Sequence, residues 1–315
     1  MDRRGFLKRV GVAGAATLGT GCGLVAQKAA MEPDPAEVGE GKLDVIESGP
    51  EGRIVVSDST SYLDKRVNGN DVIVASSFAG AFIMAGALSK GVKAIVAHDA
   101  GVGKDQAGIS GLPFGDKYGV PIAAVAADSA TLSNGNSVLA GIISHANATA
   151  SKLGVRRGQS AREAAHLLLK APQGRAVKTL VSIDNKLYEM EATPKGRIYA
   201  IWALLYLPPV KYPNDVFALA THSARVAAEH AFRWGVKGWI ANDAGPGKNN
   251  SGITGLAICG EKGMPAASVA AMSARIGDGL STYRDGIISA VNDPAAARGV
   301  RVGMTAREAL RLMQV

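Results

Sequence analysis

Apolar segments alternate with glycine-rich turns along the chain. In the first half, LDVIES and GRIVVSD have the alternation and turn boundaries that predict two strands, and DVIVASS, VKAIVAH and VPIAAVA predict buried strands. AGAFIMAGALSK predicts an apolar helix, and SAREAAHLLL predicts a later helix that begins at Ser160, with Glu163 in capping-box spacing. Because strands alternate with helices, we expect an α/β fold with a mostly parallel sheet.

The same order of segments occurs twice. Two halves align at an offset of 144 positions, and residues 91–112 and 235–256 are identical at 13 of 22 positions. The capping box recurs at Thr305 and Glu308. We therefore predict a tandem duplication, with repeat 1 at 42–172, a linker at 173–185 and repeat 2 at 186–315. The expected architecture is two homologous three-layer units related by a pseudo-twofold, each covering an apolar face of the other.

The central part of each copy resembles a known family. The succession DVIVASS, helix, GVKAIVAHDAG, GISGL and KYGVPIAAVA resembles swivelling β/β/α domains. These include the aldolase-like regulator of ribonuclease activity A and the mobile phosphohistidine domains of phosphoenolpyruvate-using enzymes. The resemblance implies the fold and no activity. Phosphohistidine domains need a His in the glycine loop, where this chain offers Ser110 and Thr254, and the aldolase-like family has Gly-x-Arg-Asp where residues 98–101 read HDAG.

The N-terminus is typical of an export signal. RRGFLK at residues 3–8 resembles the twin-arginine motif, and the apolar stretch that follows is too short and too weakly hydrophobic to span a membrane. Residues 1–41 are therefore predicted to be a twin-arginine signal peptide and tether, with Cys22 a candidate for lipidation. We expect recognition by the twin-arginine export machinery, membrane contact only through the N-terminus, and a location in the periplasm or on the outer face of the cell envelope.

Composition excludes several classes of function. The net charge is +8, but no Lys/Arg run beyond the N-terminus exceeds a pair and aromatics make up 5%, so we expect no nucleic-acid partner. The five histidines lack metal-ligand spacing, so no metal site is predicted, and the sequence identifies no cofactor. Cys259 is alone in the mature chain, so it cannot form an internal disulfide, and a buried structural thiol is expected.

The candidate site is the glycine-rich loop DAGxGK, which follows the same strand in both copies. Such loops gather at the carboxyl edge of a parallel sheet, and glycines with positive φ let backbone N–H groups approach a ligand. Asp99 and Asp243 are candidate general bases, and Lys104 and Lys248 are candidates to stabilise negative charge. The candidate substrate-binding residues at the same edge are Ser77, Gly101, Gly103, Ser110, Thr221, His222, Gly245, Gly247, Thr254, Arg275 and Asp278.

The same loop has a purely structural interpretation, a tight turn whose aspartate caps neighbouring amides. Three functions therefore stay open. The first is an exported hydrolase or lyase that acts on a small anionic, carboxylate-type substrate. The second is a non-catalytic envelope lipoprotein that binds a small ligand. The third is a structural or assembly protein, for which a homo-oligomer is possible.

Overall fold

The computed structural model describes residues 42–178, 181 and 183–315, together with the backbone of a two-residue strand, Gln27–Lys28. The predicted export motif and Cys22 lie outside these residues. Six strands form the first sheet in chain order: β1 (Leu43–Gly49), β2 (Gly52–Ser57), β3 (Asp71–Phe78), β4 (Ala94–His98), β5 (Ile122–Val125) and β6 (Ile143–Ala146). Strands β2 to β5 are parallel, and β1 and β6 are antiparallel to their neighbours.

The second sheet repeats this order and these directions. Its strands are β7 (Leu187–Thr193), β8 (Gly196–Ile201), β9 (Val216–His222), β10 (Gly238–Asn242), β11 (Ala266–Val269) and β12 (Ile288–Val291). Strands β8 to β11 are parallel, and β7 and β12 are antiparallel to β8 and β11. Gln27–Lys28 pairs antiparallel with β7. The predicted α/β class, with two tandem units and mostly parallel sheets, is confirmed.

Five helices accompany each sheet among the described residues. Those of the first repeat are α1 (Ala81–Leu88), α2 (Gly111–Lys117), α3 (Gly135–Leu139), α4 (Ala148–Lys152) and α5 (Ala161–Leu168). Those of the second repeat are α6 (Arg225–Trp234), α7 (Thr254–Glu261), α8 (Gly279–Asp285), α9 (Asp293–Ala297) and α10 (Ala306–Met313). Both predicted capping boxes are present: Ser160 and Glu163 begin α5, and Thr305 and Glu308 begin α10. Each box satisfies amides that the first helical turn leaves without partners.

Each sheet lies between two layers of helices. Because successive strand residues point to opposite faces, Val72 and Val74 pack with α3 and α5, whereas Ile73 and Ala75 pack with α1 and α2. Two separate apolar clusters cover the second sheet in the same way. This double burial explains why the central strands are continuous apolar segments rather than alternating ones.

A fifth apolar cluster joins the two repeats. Phe78 and Phe82 of the first repeat meet Trp202 of the second, and the ring centroids of Phe82 and Trp202 lie 4.2 Å apart in an edge-to-face arrangement. Ala100 and Ala244, which follow the ends of β4 and β10, are fully buried in the same cluster. The repeats therefore share a core, and that core lies at the carboxyl ends of the parallel strands.

Two glycines, one from each repeat, bring the two backbones into close contact. A Cβ placed on Gly101 would lie 2.7 Å from the Cα of Gly245, and a Cβ on Gly245 would lie 2.7 Å from the Cα of Gly101. Both glycines have positive φ, +69° and +75°. No side chain fits at either position without separating the repeats.

We expect Gly101→Ala to destabilise the protein much more than Gly119→Ala does. Gly119 has nearly the same φ, +66°, but a Cβ there meets nothing within 4 Å. The control therefore measures only the left-handed backbone penalty, about 1–2 kcal/mol, and the overpacked interface adds about 1–3 kcal/mol at Gly101. Urea unfolding of both variants checks this, and equal losses would remove the interface contact as the reason for glycine.

Candidate functional site

The aspartates of the two DAGxGK loops hold their own loops in place. Asp99 Oδ1 accepts hydrogen bonds from the N–H of Gly101 at 2.9 Å and of Ala127 at 3.0 Å. Asp243 Oδ1 accepts the equivalent pair, from Gly245 at 2.9 Å and from Ala271 at 2.9 Å. Both aspartates are buried. Each carboxylate therefore joins the loop after one strand to the loop after the next, as in the structural interpretation of the turn.

The loop amides are engaged inside the protein. In the first loop the N–H of Gly103 donates to Gly101 O at 2.7 Å, and the N–H of Lys104 donates across the repeat boundary to Ala271 O at 2.8 Å. The N–H of Lys248 donates reciprocally to Ala127 O at 2.7 Å. These donors bind carbonyl groups rather than facing a common cavity. The catalytic roles of Asp99, Asp243, Lys104 and Lys248 stay predictions, and retention of the motif has a structural reason without them.

The charged side chains near the first loop pair with one another across the boundary. Lys104 Nζ lies 2.9 Å from Asp285 Oδ2, and Arg275 Nε lies 2.6 Å from Asp105 Oδ2. The hydrogen bond from Lys104 is the main reason that the pKa of Asp285 lies below its usual range. Asp278, a predicted binding residue, accepts a hydrogen bond from the N–H of Ser281 and caps α8. The positive charges expected to meet an anion are thus partly neutralised by neighbouring carboxylates.

The second loop lacks these partners. Lys248 is exposed, and among the described residues its side chain forms no ion pair. The neighbouring Gly247 is equivalent to Gly103 of the first loop, and the two glycines have similar φ values, +81° and +73°. The two loops therefore share a backbone conformation and differ in charge.

The predicted hydroxyl groups also have structural partners. Ser110 Oγ accepts from the N–H of Ala81 at 3.0 Å, at the start of α1, and Thr254 Oγ1 accepts from the N–H of Arg225 at 3.2 Å, at the start of α6. Ser77 Oγ accepts from the N–H and the hydroxyl of Thr60 at 2.9 and 3.0 Å. Thr221 is half-buried near the end of β9. The hydroxyl groups of Ser110, Thr254 and Ser77 thus each accept a hydrogen bond from a different part of the protein.

His98 and Asn242 occupy equivalent positions and make equivalent bonds. His98 Nδ1 accepts from the N–H of Ala100 at 3.0 Å, so the ring proton is on Nε2, which donates to Ala130 O at 3.2 Å. Asn242 Oδ1 accepts from the N–H of Ala244 at 2.9 Å, and its Nδ2 donates to Ala274 O at 3.0 Å. A neutral imidazole in one repeat therefore replaces a carboxamide in the other.

His222 is the second histidine of this region. Burial, followed by the neighbouring His98, lowers the pKa of His222 to about 4. Burial also lowers the pKa of His98, against the opposing effect of Asp99. Both rings are therefore neutral in the folded protein near pH 7, and neither is a cation available to an anionic ligand.

The structure reveals a pair of grooves, and the only predicted binding residues that line them are Ser110 and Thr254. The second-repeat groove, of about 690 Å³, is lined by Asn249, Asn250, Ile253, Thr254, Leu256, Ala257, Gly260, Glu261, Ala290, Val291, Asn292 and Asp293. The first-repeat groove, of about 460 Å³, is lined by Asp105, Gln106, Ile109, Ser110, Leu112, Pro113, Asp116, His145, Ala146, Asn147 and Ala148. Eleven positions correspond through the duplication, and Glu261 is the exception, because its equivalent Lys117 is not among the lining residues of the first groove. The available signal was the retained GIIS segment that begins β6 and β12, because the following residues of these strands line the grooves.

The two grooves share an unusual backbone feature. Asp105 and Gln106 have φ of +54° and +56°, and Asn249 and Asn250 both have φ of +56°. Consecutive left-handed residues other than glycine are uncommon, although asparagine tolerates this conformation best. The strained pair places polar side chains along the groove in both repeats.

Other types of site receive no support within the described residues. No three His, Cys, Asp or Glu side chains there are grouped so as to hold a metal ion. Cys259 is fully buried, and burial raises the pKa of its thiol to about 11, as expected for a structural thiol. None of the helices in this part of the chain has the length and apolar character needed to cross a bilayer.

Comparison of the chain with protein-family models, with curated proteins and with solved structures gave no match.

We expect His98→Asn to be tolerated better than His98→Ala. Asparagine makes both bonds at the equivalent position of the second repeat, whereas alanine leaves the buried Ala100 N–H without a partner and leaves Ala130 O only the long bond from the N–H of Lys248, at 3.4 Å. An unsatisfied buried group costs about 1–3 kcal/mol, so alanine should lose about that much more unfolding free energy. Urea unfolding measures the difference, and Asn242→Ala provides the matched comparison. Equal losses from both His98 variants would contradict the equivalence.

His98 and His222 predict that the fold is sensitive to mild acid. Their folded pKa values lie below the unfolded value of about 6.5, so the unfolded chain binds more protons as pH falls from about 6.5 towards 4. Their contribution to stability is therefore complete above pH 6.5 and is lost as pH falls below it, down to about pH 4 for His222. Unfolding free energies at pH 7, 6 and 5 should fall, and His98→Asn with His222→Asn should flatten the dependence. An unchanged slope would show that other groups cause it.

Proposed function

We propose that this protein is an exported small-molecule-binding protein and that its ligand occupies the second-repeat groove. Support for export comes from the twin-arginine-like RRGFLK at residues 3–8. Support for the site is a single observation: a groove of about 690 Å³ combines an apolar floor with unengaged polar side chains. This volume falls in the range of small-molecule sites, and such sites are mostly apolar with a few polar groups that orient the ligand.

The polar groups of this groove divide into two classes. Asn292 is fully used: its Oδ1 accepts from the N–H of Ala266 and of Ala295, and its Nδ2 donates to Leu256 O and Met264 O. In contrast, among the described residues no side-chain partner is found for Asn249, Asn250, Glu261 and Asp293. Asn292 therefore stiffens the wall, and four other polar side chains remain available to a ligand.

Hydrolase or lyase chemistry at the DAGxGK loops has weaker support. The carboxylates of Asp99 and Asp243 accept backbone hydrogen bonds, and the loops pack against each other rather than around a cavity. A general base must reach the proton that it removes, and these contacts favour a structural role instead. Binding without turnover is therefore the better supported of the functions that the sequence left open.

Filling the groove should abolish binding without unfolding the protein. Gly260 has no positive φ, and a Cβ there meets only Asn292 and Pro294 atoms, at 3.8 to 4.0 Å, so Gly260→Leu extends a side chain into the groove. Gly86→Leu is the matched control, because Gly86 is also in a helix and a Cβ there meets nothing within 4 Å. Screening of a small-fragment library by amide chemical shifts at Ala257 and Val291 should give hits for the wild type and for Gly86→Leu. Gly260→Leu should lose them.

The proposal fails if no fragment perturbs these amides, or if the same fragments perturb them equally in Gly260→Leu. Thermal unfolding of both leucine variants verifies that each is folded. Both replacements raise helix propensity by about the same amount, so any difference in binding comes from the groove.

A further inference from the structure

We infer that the ligand of the second-repeat groove is a primary alkylamine in its protonated form; this inference rests on the proposed function. Glu261 and Asp293 line the groove, both are exposed, and no Lys or Arg is among the lining residues. Ile253, Leu256 and Val291 supply the apolar part. A cationic head with an aliphatic body matches this combination, and an anionic ligand does not.

Glu261 lies where a helix disfavours a carboxylate. It is the last residue of α7, where the unpaired carbonyl groups give the helix end a partial negative charge. The equivalent residue of the first repeat, at the end of α2, is Lys117, which has the favourable charge. Lys262, the C-cap residue of α7, supplies the favourable charge one position later, and among the described residues no side chain pairs with Glu261. The carboxylate of Glu261 is therefore free to pair with a cation that enters the groove.

The first-repeat groove has carboxylates, but they are already engaged. Asp105 pairs with Arg275, and Asp116 accepts from the N–H of Ala148 at 3.0 Å and from the N–H and the hydroxyl of Thr149 at 2.8 and 2.7 Å. Asp116 also stands where the second repeat has Gly260, and the first groove is smaller, about 460 Å³ against 690 Å³. We therefore assign amine binding to the second repeat alone.

Three probes of nearly equal shape separate charge from size: hexylammonium, hexanol and hexanoate. Titration of the full chain with each, followed at the amides of Ala257 and Val291, should give hexylammonium the tightest binding. The expected preference over hexanol is about threefold to tenfold, the range that one or two exposed ion pairs provide. It should decrease as salt is added, because exposed charges are screened.

Glu261→Lys provides the decisive variant, because it installs the residue of the first repeat. Hexylammonium should lose its preference, and the melting temperature should rise, because a lysine suits the end of the helix. A damaged fold would lower the melting temperature, so the two readouts distinguish loss of recognition from loss of structure. Lys117→Glu, the reciprocal control, should lower the melting temperature and create no amine binding in the first repeat.

The inference is overturned if hexanol or hexanoate binds the groove as tightly as hexylammonium, or if Glu261→Lys leaves the preference unchanged. In that result the groove still binds small molecules, and the proposed function stands. If no probe and no library fragment perturbs the groove, both the inference and the proposed function fail.

Discussion

The structure depends on one close approach, that of the backbone of Gly101 to the backbone of Gly245. At this point the loops that leave two parallel sheets touch without side chains between them. The contact brings the lysine amides of both loops within hydrogen-bonding distance of the opposite repeat, at 2.8 and 2.7 Å. It also brings Phe82 against Trp202 in the shared core. Because interfaces pack as densely as protein interiors, one added methyl group at the contact affects all of these interactions.

Much of the fold could be predicted from the sequence because the local signals agree. Continuous apolar segments such as DVIVASS, glycine turns and two copies of a capping box all indicate the same strands and helices. The short elements were missed: α3 and α4 have five residues each, and β6 has four. Segments this short carry too few periods of apolar residues to distinguish helix from strand.

The candidate site was harder to predict, for a physical reason. The sequence shows that Asp99, Gly101 and Lys104 recur in the second repeat, but a glycine that admits a ligand and a glycine that admits another backbone look identical in a sequence. Only the three-dimensional arrangement shows that Gly101 meets Gly245 and that Asp99 accepts the amide of Ala127. The grooves were missed because residues such as Glu261 and Asp293 are far apart in the sequence and have no motif.

In a duplicated protein whose halves contact each other, residues shared by the two halves are weak evidence of function. Where the halves touch, each copy must fit the other, and this requirement alone retains residues in both. Even where His98 is replaced by Asn242, the hydrogen bond to the N–H two residues later is preserved. The differences are under no such constraint. Where the first repeat has Lys117, the second has Glu261 followed by Lys262, so the positive charge at the helix end moves by one position and an unpaired carboxylate lines the groove. In such a molecule the shared motif shows how the halves assemble, and the residues that differ between the halves are where function should be sought.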